Sequence, residues 1–590
     1  MPPTAIYLQK ACLQHRYIRT RDNSHIVERP ERLRAINVGL AASIARMEER
    51  APLSSSSVEE SSAAAQTKAE EDSDELTKAL GKLQLSTPSR TETLGRVPVT
   101  FVHSSASVDI LNNAAVKFVH GDIERDIYLE NIRKWAQESE DKVRKGESEI
   151  PEGYSQGDLY LCPGSLDAIQ GALGTVCEAV DAVLAGPRVT TSDERGAPSQ
   201  AFVAVRPPGH HCGEDTPSGF CFVNNVAVGA AHAHLKQNVN RVVIFDIDLH
   251  HGNGTQAIAW QINEETYRKQ LEAESGALAG KPGLQVYYGS IHDILSYPCE
   301  DGKAELVQAA SVSIHGPHGQ HIENIHLKPY KSEQEFWDEL YPGSYTQLLD
   351  KAGAFLDSTG GAGDDVLVFI SCGFDACEHE YSSMQRHHRK VPTSFYHRFA
   401  QDARAFAKRY ANGRLLSVLE GGYSDRALTS GAMAHLSGLL EEDDLKADPI
   451  WWSVENLTAL EAATKKRRGG RPSQTVPPEP WLARTVELFA SIDSSNAIPS
   501  APRVPIPASD RTLRDRKPAN GSNRASPATS PGRKPAARKG RPSAAATSAT
   551  STSEESDLTD VSTSSEREDP APKKLPRVIL KLGPAPAGGS

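Results

Sequence analysis

Residues 242–256 read VVIFDIDLHHGNGTQ, an apolar run followed closely by Asp246, Asp248, His250 and His251. Carboxylates and imidazoles are costly to bury without partners, so the end of this segment must serve something that needs them. In an extended strand side chains alternate with period two, and Asp246, Asp248 and His250 then point to one face. Asp248 and His250, joined by Asp375 of SCGFDA, make an oxygen–nitrogen–oxygen donor set. Three protein ligands with an open position is the catalytic pattern for zinc. A lone aspartate here would be read as a helix cap. The full run D-x-D-x-H-H-G-N-G after an apolar strand favours the metal.

His210 and His211 follow VAVRPPG, whose prolines and glycine make a rigid turn rather than a helix. Two imidazoles there could act as base and acid on one water at the metal. Asp246 is a partner for one of them, holding its tautomer and raising its basicity. Asn253 could hold the other without adding charge. In LEGGY, 419–423, Tyr423 follows two glycines at a strand end, where its phenol could donate to a developing oxyanion. SGFCFVNN sets Phe220 and Phe222 just ahead of a helix, where aromatics could line a narrow channel to the metal or pack in the core, and Phe222 is read as core. Taken singly, adjacent histidines or a loop tyrosine would mean an ordinary surface loop. Their common position at strand ends gives them weight.

That position requires a particular scaffold. QAFVAVRPPGHH, NRVVIFDIDLHH, LQVYYGSIHD, ASVSIHG, DVLVFISCGFDA and GRLLSVLEGGY read as strands that end in polar residues. Helical stretches lie between them, including 224–237, 343–357 and 394–411, and RPERLRAINVGLAASIARM reads as an earlier helix. Near-continuous apolar strands alternating with helices predict an α/β fold, a central parallel sheet covered on both faces. Ligands then bind outside the carboxyl ends of the strands.

The 590 residues carry a net charge of −11 and are unevenly used. A catalytic domain is predicted over 1–445, broken by a disordered insertion at 51–95 and a surface excursion at 262–283. A partly helical extension, 446–495, should hold helices near 450–463 and 479–492, before a disordered basic and acidic tail at 496–590. The eight scattered cysteines include no C-x-x-C pair and fit a reducing compartment, packed as small apolar residues. The N-terminus shows no signal-peptide core, and no apolar run is read as long enough to cross a membrane, so an intracellular soluble protein is expected.

RPPGHH, GFCFVNNVAVGAAHA, DIDLHHGNGTQ, GSIHD, SCGFDA and LEGGY, in this order, resemble the zinc-dependent histone deacetylases, which share the arginase/deacetylase fold. HGNGTQ, with Asn253, resembles their second class, and SIHDILSYPCEDG and HGQHIENIHL resemble the fungal Hos-type branch. The resemblance covers about 1–440 apart from the insertions. It implies zinc on Asp248, His250 and Asp375, and His210 and His211 as tandem general base and acid. Asp246 would support His210, Asn253 would stand behind His211, and Tyr423 would polarise the acetyl carbonyl. Gly219 and Phe220 would line the acetyl-lysine channel, with Tyr297 opposite where the family usually has phenylalanine. Asp158 would meet substrate backbone at the rim, and Arg32 would belong to an inner acetate-release channel. A structural potassium ion would sit at Asp246, Asp248, His250 and Ser290. ACEHEYSSMQRHHRK after Asp375 departs from the family's small-residue run, which bears on rim shape and substrate choice.

The expected activity is removal of acetyl groups from lysines of histone tails or other proteins, in chromatin regulation and transcriptional repression. An acetylpolyamine amidohydrolase, an arginase-like binuclear hydrolase and an inactive scaffold are the rivals. An arginase-like centre needs further carboxylates, and a scaffold would be expected to lack a ligand or Tyr423. KKRRGGRP, 465–472, predicts nuclear import, with the cytoplasm as the alternative. Two Gly-Arg-Pro steps, at 470–472 and 540–542, suggest weak DNA contact through the tail. No membrane partner is expected, and a homo-oligomer is left open.

Overall fold

The computed structural model describes residues 3–20, 22–51, 89–93, 96–121, 127–186, 197–276, 278, 280–443, 445–465 and 479–499. Most of the expected insertion at 51–95, the basic cluster and the tail from 500 lie outside the described residues.

Among the described residues ten strands form one sheet: β1 (Thr4–Gln9), β2 (Arg90–Glu92), β3 (Val99–Ser104), β4 (Gln200–Ala204), β5 (Arg241–Asp246), β6 (Gln285–His292), β7 (Ser313–His315), β8 (His321–His326), β9 (Val366–Cys372) and β10 (Leu415–Leu419). Their order is β2-β3-β1-β4-β10-β9-β5-β6-β8-β7. The eight inner strands run parallel, and β2 and β7 close the edges antiparallel. The sheet is therefore mixed at its margins. ASVSIHG, expected in the parallel body, is the edge strand β7, paired with β8 across a short connection. Residues 90–92, expected within the disordered insertion, pair with β3 instead.

Strands β1, β4, β5, β9 and β10 are buried along their whole length, as strands covered on both faces must be. The helices that cover them include α1 (Glu31–Arg50), α2 (Ser165–Ala185), α3 (Asn225–Gln237), α4 (Asn253–Glu274), α5 (Ser394–Tyr410) and α6 (Asp425–Leu440). Helix α2 corrects one expectation, because it is long and apolar enough to cross a membrane by composition. Its apolar residues have another use here: 72% of the window is buried against the fold. The expected surface excursion at 262–283 is largely exposed, and it does not leave the fold at its start. Its first part is the second half of α4, anchored by Asn263, whose side chain donates to Val286 O and accepts from Val286 N, both at 2.8 Å.

Residues 446–499 belong to the same compact body rather than to an appendage. Helices α7 (Val454–Thr464) and α8 (Pro480–Ile492) bury Leu457, Leu460, Trp481, Leu488 and Phe489 in the main core. Arg484 of α8 pairs with Glu48 of α1 at 2.9 Å, and the Arg46 guanidinium lies 3.7 Å from the Trp481 ring centre.

Candidate metal centre and channel

The parallel strands end along one edge, and their first residues beyond the sheet meet there. Strand β5 delivers Asp246, then Asp248 and His250; β9 delivers Asp375; β10 delivers Glu420 and Tyr423; β4 leads through Arg206 to His210 and His211. One ligand atom each from Asp248, His250 and Asp375 lies within 4.8 Å of the others, and all three residues are buried. His250 Nδ1 is 3.3 Å from Asp248 Oδ1 and 3.0 Å from Asp375 Oδ2. The remaining carboxylate oxygens are fixed by backbone: Leu249 N–H donates to Asp375 Oδ1 at 2.7 Å, and Gly421 N–H donates to Asp248 Oδ2 at 2.8 Å.

This donor set fits a divalent cation. Burial opposes charge on His250, yet its hydrogen bonds to Asp248 and Asp375 lift it to about 10. In the protein alone, two buried carboxylates thus hold a proton on the imidazole they face. A dication can replace that proton and neutralise both carboxylates, which is how metal affinity and ligand ionisation are linked. The mixed oxygen and nitrogen set at this separation suits zinc.

The two adjacent histidines stand in opposite surroundings. His210 Nδ1 is 3.1 Å from Asp246 Oδ2, which also accepts from the Tyr288 hydroxyl at 3.0 Å. Burial works against a charged His210, but Asp248 and then Asp246 outweigh it and lift the imidazole to about 10. His211 Nδ1 is 2.8 Å from Asn253 Oδ1. Burial, followed by the charges of His210 and His250, holds His211 well below the usual imidazole value.

Above the donor set lies a cavity of about 310 Å³ whose walls include His211, His250, Gly219, Phe220, Tyr297 and Tyr423. Gly219 has φ +47°, and a Cβ there would lie 2.4 Å from His211 Cδ2, so this turn requires glycine. Phe220, at φ +67°, sets its ring 5.7 Å from that of Tyr423. The Tyr297 ring stands edge-on to His211 at 4.9 Å, and its hydroxyl pairs with Ser218. Asp158 lines the mouth and accepts from Ser155 Oγ at 2.7 Å. His25 also lines the mouth, as do Met384 and His387 from the loop after Asp375.

Two further expected residues lie outside the channel walls. Arg32 does not line this channel. It lies buried behind Tyr423, its guanidinium 5.1 Å from the ring centre. It donates to Gly422 O at 2.6 Å, to Glu420 O, and to Glu28 Oε1 at 3.0 Å. Ser290 lies across from Asp246 in the β5–β6 register, with Oγ 2.9 Å from His292 Nδ1.

Sequence reasoning missed the supports. Glu28 is wholly buried and also receives Arg206 Nε–H at 2.8 Å and the Tyr160 hydroxyl at 2.6 Å. Glu420 accepts from the amides of Gly209 and His210, at 2.7 and 3.1 Å, and so holds the histidine turn to β10. Glu380 accepts from the amides of Tyr423 and Ser424, at 2.7 and 2.8 Å. Arg206 and Glu420 stand inside the motifs RPPGHH and LEGGY, which was the available signal.

A histone deacetylase domain model matches residues 84–439. Histone deacetylase HOS3 of Saccharomyces cerevisiae is 42% identical over 327 residues, covering 54% of this chain and 46% of that protein. Type-2 histone deacetylase 1 of Dictyostelium discoideum is 28% identical over 336 residues, covering 50% and 21%. A histone deacetylase-like amidohydrolase of Pseudomonas aeruginosa is 27% identical over 294 residues, covering 50% and 63%. The chain thus spans less than half the length of the first two relatives.

Proposed function

The chain belongs to the histone deacetylase family, and from that premise we propose that it is a zinc-dependent lysine deacetylase. Its substrates would be acetylated histone tails and other acetyl-lysine proteins, its setting chromatin regulation and transcriptional repression. The observation that carries this reading is the convergence of two differently supported imidazoles, a phenol and a three-residue donor set on one narrow channel.

Zinc held by Asp248, His250 and Asp375 would supply Lewis acidity toward water and the amide carbonyl. His211, kept neutral, is suited to accept the proton of the attacking water. His210, held by Asp246, is suited to carry charge beside it and to share in returning a proton to the leaving lysine amine. Tyr423 donates its hydroxyl hydrogen to the oxyanion as the carbonyl becomes tetrahedral. Gly219, Phe220 and Tyr297 enclose the extended side chain, and Asp158 accepts from substrate backbone at the mouth. Arg32 keeps its assignment to the inner acetate route through its place behind Tyr423. A potassium ion at Asp246, Asp248, His250 and Ser290 would stabilise the turn that carries the ligands.

The test is hydrolysis by purified protein of an acetyl-lysine peptide and of an acetylpolyamine, each with and without chelator. Chelator-sensitive turnover of the peptide is expected. Faster turnover of the polyamine would move the assignment to an acetylpolyamine amidohydrolase, and inactivity on both would remove the hydrolase reading. We also propose nuclear residence through 465–472 and weak DNA contact through 460–545, on the strength of their basic clusters. A reporter fused to 460–475 should enter the nucleus, and isolated 460–545 should bind A·T-rich duplex with steep salt dependence. A cytoplasmic reporter, or no binding at low salt, would remove the respective claim.

A further inference from the structure

Two loops far apart in sequence meet at the mouth of the channel. Residues 294–298 follow β6 and bring Leu295, Ser296 and Tyr297 to its wall; residues 383–390 follow Asp375 and bring Met384, Arg386 and His387. Between the loops sits Asp293, whose side chain is 1% exposed. A buried carboxylate is costly unless its oxygens are paired. Oδ1 accepts from Leu295 N–H at 3.1 Å and lies 3.5 Å from Arg389 Nε. Oδ2 accepts from Ser296 Oγ at 2.7 Å and lies 3.1 Å from His387 Nδ1. Each oxygen thus serves one group of its own loop and one of the other.

This strap is anchored at both ends. Asp293 N–H donates to Leu249 O at 2.8 Å, in the turn between Asp248 and His250, so its backbone is fixed to the channel floor. Arg389 also donates to Leu327 O at 3.1 Å, and Leu327 N–H donates to His292 O at 2.8 Å, which ties the later loop to the ends of β8 and β6. Gln385 Nε2 donates to the carbonyls of Asp375 and Cys377, at 2.8 and 2.6 Å, and holds that loop to its own start. His387 and Arg389 are partly exposed, so side-chain entropy opposes their order, and the buried charge they face offsets it. Asp293 and Arg389 do not themselves line the channel. Their contacts shape the loops around it and leave the reacting groups untouched.

We propose that Asp293 is a positioning residue that straps the two loops across the mouth and so sets the binding of the peptide that flanks the acetyl-lysine. Its effect on substrate rests on the deacetylase reading; its hold on the loops does not. The test uses the full chain. Asp293→Ala removes every contact of the carboxylate. Asp293→Asn keeps an oxygen for Leu295 N–H and an amide that Ser296 Oγ can accept from, but withdraws the charge that Arg389 and His387 face. Arg389→Met removes the other end of the ion pair and keeps an aliphatic stem. Amide hydrogen exchange reads the loops directly, with or without turnover. Exchange over 383–390 should be faster in all of these variants, and over 294–298 in Asp293→Ala alone. On an acetyl-lysine peptide, Asp293→Asn should raise KM up to about tenfold, the factor that one lost charged hydrogen bond gives, with kcat within about twofold. A single-residue acetyl-lysine amide offers little main chain to the loops, and its kcat/KM should be retained. Should Asp293→Ala fail to fold, the other two variants carry the reading. Unchanged exchange over 383–390 in Asp293→Asn and Arg389→Met would overturn the strap. Equal losses on the peptide and on the single-residue amide would overturn its role in substrate binding. Inactivity of the wild-type chain on both would remove the deacetylase reading, and exchange would still decide the strap.

Discussion

At the floor of the channel, the outer oxygens of Asp248 and Asp375 are held by the amides of Gly421 and Leu249, each from a different strand end. At the mouth, Asp158 is held by Ser155, three residues away, and Tyr297 by Ser218 across a loop. The floor inherits its geometry from the sheet, because its ligands begin within a few residues of fully buried strands. The mouth inherits its geometry from loops whose shape depends on local pairs. Groups that must meet one reacting atom need the first kind of support, since small displacements are costly to catalysis. Groups that only select a substrate can rest on the second.

The strongest break in this comparison is Asp375→Ala. It removes one of three donors, leaves the buried Leu249 amide unpaired, and strips His250 of its shorter contact. We expect turnover of an acetyl-lysine peptide to be abolished and bound zinc to fall well below one per chain. A variant that retained stoichiometric metal would contradict the ligand assignment. Tyr423→Phe comes next. It keeps the ring between Phe220 and Arg32 and removes one donor. Turnover should fall about 10²–10³-fold, as for other oxyanion donors, with Tm nearly unchanged. Turnover close to wild type would remove Tyr423 from the chemistry.

The same contrast governs how much could be read from the sequence. Asp246, Asp248 and His250 were legible because an unbroken apolar run leads straight into them, although β5 ends at Asp246 and the last two lie in the turn beyond it rather than on a strand face. Asp375 and Tyr423 were legible because each ends such a run. The Glu28–Arg206 pair was not, because its members are 178 positions apart and neither has a periodic neighbour that calls for the other. Strand β2 escaped notice because its three residues pair at an edge and carry no apolar pattern. Residues 262–274 read as an excursion because their exposed face is strongly charged, while Asn263 and Thr266 bury polar groups that look like surface residues. Tyr297 and Asp158 drew their expected roles from family resemblance, since loop geometry leaves little trace in composition.

Glu380 belongs to both regions, since it rises from the mouth loop and holds the backbone of Tyr423. Burial lifts its carboxyl to about 7, against the pull of the Tyr423 amide. A carboxyl whose folded value exceeds its unfolded one retains a proton that the unfolded chain has lost. Stability from this group therefore falls as pH rises from the ordinary carboxyl value toward about 7. Glu420, also lifted to about 7 by burial, contributes with the same sign. Glu380→Gln should flatten, but not abolish, the decline of Tm between about pH 5 and 7. It should also lower kcat several-fold, with KM little changed, because Gln offers one good acceptor oxygen to three amides, those of Tyr381, Tyr423 and Ser424. An unaltered pH slope would show that Glu380 is ionised throughout this range.

Tyr297→Phe should have the smallest effect, and it tests the mouth by itself. The substitution keeps the ring edge-on to His211 and removes the hydroxyl that pairs with Ser218. A neutral hydrogen bond at a partly exposed site is worth about 0.5–1.5 kcal/mol, and here it joins two loops rather than two strands. If Tyr297 only walls the channel, the variant should process an acetyl-lysine peptide within about threefold of wild type, with any loss in KM rather than kcat. A change of this kind would leave the floor intact and confirm that the mouth can vary without disturbing the chemistry. A fall in kcat as large as that expected for Tyr423→Phe would place the Tyr297 hydroxyl among the groups that act on the transition state. The division between floor and mouth would then fail at Tyr297.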